Sequence, residues 1–123
     1  MQSTYDKIQY YELGQKEKTR IIAKLKAFLA KEERVKLAML FGSVTRRSYV
    51  RDIDLCIHAI PELNFKKLLD LNAQIELELG LPVDLVELSS LPASLKASIL
   101  KAGVLIKGTK NQRHQVTAAL ERC

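Results

Sequence analysis

Leu40-Phe41-Gly42-Ser43 and, after eight intervening residues, Asp52-Ile53-Asp54-Leu55-Cys56-Ile57-His58 are the stretches on which the reading of this chain turns. Val35 to Phe41 is a short, nearly continuous apolar run stopped by Gly42, which suits a buried strand better than a helix of that length. In the second stretch Ile53, Leu55 and Ile57 alternate with Asp52 and Asp54, so a strand here puts its apolar residues on one face and both carboxylates on the other. A glycine at a strand end lets backbone amides approach an anion with no Cβ in the way, and a helical turn begun by Ser43 would aim free N–H groups at it. Two aspartates at i and i+2 on one strand face project side by side. They offer hard oxygen ligands to magnesium, which favours one or two carboxylates together with substrate phosphates.

Working outward, Ile21, Ile22, Leu25, Phe28 and Leu29 recur at helical spacing and predict an amphipathic helix from about Lys16 to Glu33. After the aspartate strand, Asn64 is placed to cap a helix carrying Phe65, Leu68, Leu69, Asn72, Ile75 and Leu79, and Gly80 followed by Pro82 stops it. Val83 to Leu88 reads as a third strand with Asp84 near its start. If the strands are neighbours, this third carboxylate reaches the same place, to ligate a second ion or accept a proton from an attacking hydroxyl. Leu91 to Ala102 then reads as a helix with a proline near its start, and Val104 to Lys107 as a short last strand. The order α-β-loop-β-α-β-α-β predicts an α/β (α+β) domain, a mixed β-sheet flanked by helices. Residues 16–108 form that domain in this reading. Residues 1–15, with Tyr5, Tyr10 and Tyr11, show no clear periodicity, and residues 109–123 form a basic, weakly amphipathic tail.

A chain of 123 residues, 47% of them hydrophobic, accommodates one domain with a core and not two ordinary ones. Cys56 and Cys123 match no zinc spacing and are too few for a secreted disulfide scaffold. No apolar run approaches a membrane span, and the first residues lack the apolar stretch of a signal peptide. A cytoplasmic protein without a membrane segment is expected. The net charge of +6 favours polyanionic partners without choosing among nucleotides, RNA and acidic proteins.

The three-part pattern Leu40-Phe41-Gly42-Ser43, Asp52-Ile53-Asp54-Leu55 and Pro82-Val83-Asp84-Leu85-Val86-Glu87 resembles the polymerase-β-like nucleotidyltransferases, in particular the minimal nucleotidyltransferases (MNT) found beside HEPN-domain toxins. The resemblance extends over roughly Leu37 to Lys107. It implies that Asp52, Asp54 and Asp84 are catalytic and hold Mg²⁺, and that Gly42 and Ser43 bind the triphosphate of ATP or another nucleoside triphosphate. It also implies transfer of a nucleoside monophosphate to a hydroxyl with release of pyrophosphate. Larger relatives carry a helical domain that helps hold the acceptor, and nothing here is left over to build one, so the acceptor is expected on a partner. In the resembling toxin–antitoxin systems the partner is the HEPN RNase, which the nucleotidyltransferase counteracts, in some systems by attaching AMP to a tyrosine. A hetero-oligomer with a HEPN-domain protein, this chain being the antitoxin, is the resulting expectation.

Three departures stand beside it. The stretch between Ser43 and Asp52 is shorter than is common in the minimal group, Arg47 stands about where a glycine is common, and Arg51 replaces a serine before Asp52. A shortened phosphate loop points to weak activity, and with it to an alternative of another class, an antitoxin that neutralises its partner by contact alone. Arg47, with Arg46 and Arg51, is read as stabilising phosphate charge, against the plainer reading of a solvated basic loop. Taken singly, Gly-Ser after a strand is usually a turn and Asp-x-Asp a solvated edge; it is their order, together with Asp84, that points to chemistry. Cys56 reads as a core thiol, and His58 and His114 as surface or strand-end residues. RNA binding, suggested by charge and by Lys110, Arg113 and His114, lacks interleaved aromatics for base stacking and ranks last.

Overall fold

The centre of the molecule is made by Val35–Phe41 and Ile53–Ala59, two seven-residue strands that pair antiparallel and are buried along most of their length. The computed structural model describes residues 10–109 and 111, so expectations for Tyr5, Lys110, Arg113, His114 and Cys123 lie outside the described residues. In chain order the elements are β1 (Tyr11–Glu12), α1 (Gln15–Ala30), β2 (Val35–Phe41), a 3₁₀ turn (Gly42–Thr45), β3 (Tyr49–Val50), β4 (Ile53–Ala59), α2 (Phe65–Leu79), β5 (Val83–Glu87), a second 3₁₀ turn (Leu88–Ser90), α3 (Ala93–Ala102) and β6 (Val104–Lys107). Four strands form one sheet in the order β5-β4-β2-β6. β4 and β5 are parallel and joined by α2, whereas β2 is antiparallel to both of its neighbours. The sheet is therefore mixed and the fold is α+β, as the alternating pattern implies.

Both faces of the sheet are covered. On one face Ala38, Leu40, Ile53, Leu55, Ile57 and Leu85 pack against Ile21, Leu25 and Leu29 of α1 and Leu71, Ile75 and Leu79 of α2. On the other, Leu37, Met39 and Cys56 pack against Ile99 and Leu100 of α3. Cys56 is thus the core thiol expected of it, 2% exposed. This second core ends before the sheet does, and Asp54 and Asp84 occupy the remaining part of that face.

Local chemistry sets the element ends. The Asn64 side chain accepts the Lys67 amide at 2.8 Å and caps α2, and Gly80, at φ +70°, closes it with its amide on the Glu76 carbonyl. α1 stops at Ala30, short of the expected Glu33, and the Lys107 ammonium donates to the Leu29 and Glu32 carbonyls at 2.6 and 2.8 Å, tying its end to β6. Edge strand β5 has its Val83 and Leu85 amides taken by Glu76 Oε2 and Asn72 Oδ1 at 2.8 and 2.9 Å, which shields that edge from further pairing. Asn72, read in sequence as part of the apolar series, is therefore a polar clip from helix to strand. Phe65 and Leu69, read in the same series, stand 73% and 53% exposed, because the face of α2 that meets the sheet runs through Leu71, Ile75 and Leu79.

β1 and β3 were not legible in the sequence. Tyr11 pairs with Val50 and Glu12 with Tyr49, and the Leu13 amide donates to the Ser48 carbonyl at 2.6 Å. With Leu13 and Val50 buried in the larger core, this ribbon fastens the loop between Ser43 and Asp52 to the chain ahead of α1. Ile57 is fully buried at the centre of β4. Ile57→Ala is expected to lower stability by about 2–5 kcal/mol in urea unfolding, through lost burial and the cavity left behind.

Candidate functional site

The end of β2, the start of β4 and the start of β5 meet at one place. Phe41 pairs with Asp54 across the antiparallel ladder, and Asp54 lies in register with Asp84 across the parallel one. Neighbouring strands are about 4.8 Å apart, so the carboxylates of Asp54 and Asp84 leave the same face side by side. Asp52 lies in the bend immediately ahead of β4, close enough for its charge to act on Asp54. Asp52 and Asp54 are half-buried and Asp84 is exposed. The structure thus brings together all three aspartates singled out in the sequence.

Among the described residues no lysine, arginine or histidine pairs with any of the three. Burial, then the charges of Asp52 and Asp84, pushes the Asp54 carboxyl up to about 6. Among the described residues negative charge is gathered here without a cation to neutralise it, and the donors are all hard carboxylate oxygens.

Gly42 lies directly against this group. It opens the 3₁₀ turn at φ +77°, and a Cβ placed there would overlap Asp54 Oδ2 and come within 3.0 Å of its Cγ. Only glycine lets the turn's backbone approach so close to the carboxylate. Thr45 donates its hydroxyl to the Gly42 carbonyl at 2.8 Å, and the Arg46 and Arg47 amides both donate to the Ser43 carbonyl, fixing the turn. The Ser43 hydroxyl has no hydrogen-bond partner among the described residues and stays available. Thr45 carries no recognisable sequence signal beyond its nearness to the Gly-Ser pair.

Beside the turn a cavity of about 210 Å³ opens between Gly42, Thr45 and Arg46 on one side and Leu95, Ser98 and Ile99 of α3 on the other. It lies on the aspartate side of the sheet. The α3 side of this cavity was not anticipated in the sequence, since Leu95 and Ser98 belong to no motif. Arg47, expected at the phosphates, is exposed, as are Arg46 and Arg51, and none of the three forms an ion pair among the described residues. Among the described residues no three carboxylate, histidine or cysteine side chains close on one point as a complete metal cage. The donors that are present, with the glycine cradle beside them, fit a cation that draws part of its coordination from a bound phosphate.

His58 stands at a strand end, as expected, one residue before β4 finishes; it is half-buried, with Nδ1 3.4 Å from Glu87 Oε1. Glu87 is 4% exposed, also approaches the Ala59 amide, and is pushed up by burial. This pair sits farther along β4 and β5 than the aspartates.

A mixed sheet carrying a strand-end Gly-Ser turn against a carboxylate group is the arrangement expected from the three-part sequence pattern. Residues 23–112 match the polymerase β nucleotidyltransferase family model, and the chain belongs to that family. A chain from the crystal structure of a toxin–antitoxin with AMP-PNP superposes with a TM-score of 0.73 at 24% identity, over 82% of this chain and 84% of that one. A chain from the toxin–antitoxin MntA-HepT gives 0.65 at 23% identity, over 89% and 85%. A chain from the tri-AMPylated Shewanella oneidensis HEPN toxin in complex with MNT antitoxin gives 0.64 at 24%, over 88% and 83%. At these identities the likeness is one of fold. No curated protein matches the sequence.

The raised Asp54 carboxyl has a consequence for stability. Its value in the folded chain, about 6, exceeds the ordinary 3.8, so the folded state holds the proton more tightly, and stability falls as pH rises through that interval. In protein stripped of divalent metal, Asp54→Asn is expected to melt higher than wild type at pH 8. The difference should vanish below about pH 4; equal melting temperatures at both pH values would contradict the uncompensated charge.

Proposed function

We propose that this chain is an Mg²⁺-dependent nucleotidyltransferase that moves AMP from ATP to a hydroxyl of a HEPN-domain partner, acting as that partner's antitoxin. The observation that carries the reading is the in-register placement of Asp54 and Asp84 against the Gly42 turn. Residues 16–108 are the nucleotidyltransferase domain in this reading. Support for the nucleotide and the partner comes from the fold neighbours, one solved with AMP-PNP and one holding an AMPylated HEPN toxin. A cytoplasmic place accords with the buried free thiol of Cys56 and with the absence, among the described residues, of a helix long and apolar enough to cross a membrane.

Asp52 and Asp54 would hold the metal, with Asp84 as the third acidic ligand. When bound, magnesium supplies charge neutralisation at the phosphates and at the acceptor oxygen. Gly42 offers its backbone and Ser43 its hydroxyl to the triphosphate, and Arg47 swings its exposed guanidinium onto phosphate oxygens. The acceptor oxygen then attacks the α-phosphorus, the bond to the bridging oxygen breaks, and pyrophosphate leaves. Asp84, exposed at the strand start, is also placed to take the hydroxyl proton.

The short stretch between Ser43 and Asp52, with Arg47 where the resembling proteins commonly have a glycine, favours a second reading: an antitoxin that acts by contact alone. Transfer of AMP to the partner, followed by mass spectrometry, separates the two. Asp52→Ala and Asp54→Ala are expected to lower transfer at least about 100-fold and to lose magnesium-dependent ATP binding in calorimetry, with the fold intact. Undiminished transfer by both variants overturns the catalytic proposal. Variants that cannot transfer yet still neutralise the toxin in cells would establish the contact-only reading.

A further inference from the structure

Thr45 stands outside every sequence motif, yet its hydroxyl donates at 2.8 Å to the carbonyl of Gly42, the residue that lies against Asp54. That carbonyl and the Ser43 N–H belong to one planar trans peptide and point in opposite directions, so a bond that holds the first aims the second. Gly42 does not set this direction by itself. With no Cβ it restricts its own dihedrals less than any other residue, and the tilt of the peptide that follows is left to the groups that bond to it.

The hydroxyl bond has little else to do. Thr45 is exposed, so in the unfolded chain its hydroxyl exchanges the carbonyl for water at small cost. The loop beyond is held by other means: the Arg46 and Arg47 amides lie 3.0 and 2.7 Å from the Ser43 carbonyl, and β3 is fastened to β1. Val44 anchors the turn in the core, but Thr45 borders a cavity on each flank. One is the cavity shared with Leu95 and Ser98, the other a space of about 150 Å³ beside Ile22, Leu40 and Val104. With room on both flanks, direction at this end of the turn is set by hydrogen bonding more than by packing. A threonine that bonds back to a carbonyl three residues earlier is ordinary local chemistry; what distinguishes this one is that the carbonyl adjoins the carboxylates.

We propose that Thr45 is a positioning residue for the triphosphate: through the Gly42 carbonyl, its hydroxyl sets the direction of the Ser43 amide and so the grip of the turn on bound phosphates. The proposal rests on the nucleotide reading above, and it holds for an active enzyme and for a chain that binds nucleotide without transferring it.

Two variants and two ligands test it. Thr45→Val keeps the shape of the side chain and removes the donor, whereas Thr45→Ser keeps the donor. In calorimetry with magnesium present, Thr45→Val is expected to bind ATP about three- to tenfold more weakly than wild type, the range of a single hydrogen bond, with Thr45→Ser close to wild type. Inorganic tripolyphosphate should show the same loss, which places the effect at the phosphates and not at the base. Melting temperatures should agree among the three proteins, and where transfer is measured the loss should fall on KM for ATP with kcat little changed. Wild-type affinity in Thr45→Val, failure of Thr45→Ser to restore binding, or a fall in melting temperature that accounts for the weaker binding overturns the positioning role and leaves the nucleotide reading standing. A wild type that binds neither ATP nor tripolyphosphate overturns both.

Discussion

Gly42 and Asp54 share a space that holds only one side chain. Because Phe41 and Asp54 are ladder partners, the turn that follows Phe41 must begin directly beside the carboxylate, and only a residue without a Cβ can do so at φ +77°. The remainder of the fold holds this meeting point in place. α1 and α2 bury one face of the β2–β4 pair, α3 buries the other only as far as Cys56, and the uncovered end of that face becomes the floor of the site.

Electrostatically the site is the inverse of the molecule. The chain carries a net +6, yet at the sheet end three carboxylates stand together without a described cation, while Arg46, Arg47 and Arg51 extend outward from the adjoining loop. A carboxylate cluster next to exposed guanidiniums suits a ligand that is itself divided in charge, such as a polyphosphate with its counter-ion. The apolar lining contributed by Leu95 and Ile99 gives such a ligand a drier wall on the α3 side.

The large elements were legible because their burial is written in periodicity. Val35–Phe41 and Val104–Lys107 fall where the apolar runs place them, and α2 begins and ends at its capping Asn64 and Gly80. The co-location of Asp52, Asp54 and Asp84 was legible as well, since strand parity and a βαβ connection leave adjacent strands few alternatives. What could not be read depends on contacts distant in sequence. Two-residue strands such as Tyr11–Glu12 and Tyr49–Val50 have no period of their own. The Asn72 and Glu76 clips depend on where β5 lies, and the α3 wall of the cavity depends on how α3 crosses the sheet. The apolar content of α2 misled for a related reason: its sequence supports two stripes, and only packing decides which one faces inward.

The β1–β3 ribbon gives the loop beside the site a stability of its own. It joins the four-stranded sheet by no ladder hydrogen bond and rests on few paired residues, with Leu13 and Val50 as its apolar anchors. Such a unit can open while the sheet stays closed, as a small cooperative region of lower local free energy. Mild heat or low denaturant would then release the loop well before the chain unfolds, so the working range of the site is narrower than the range over which the protein remains folded.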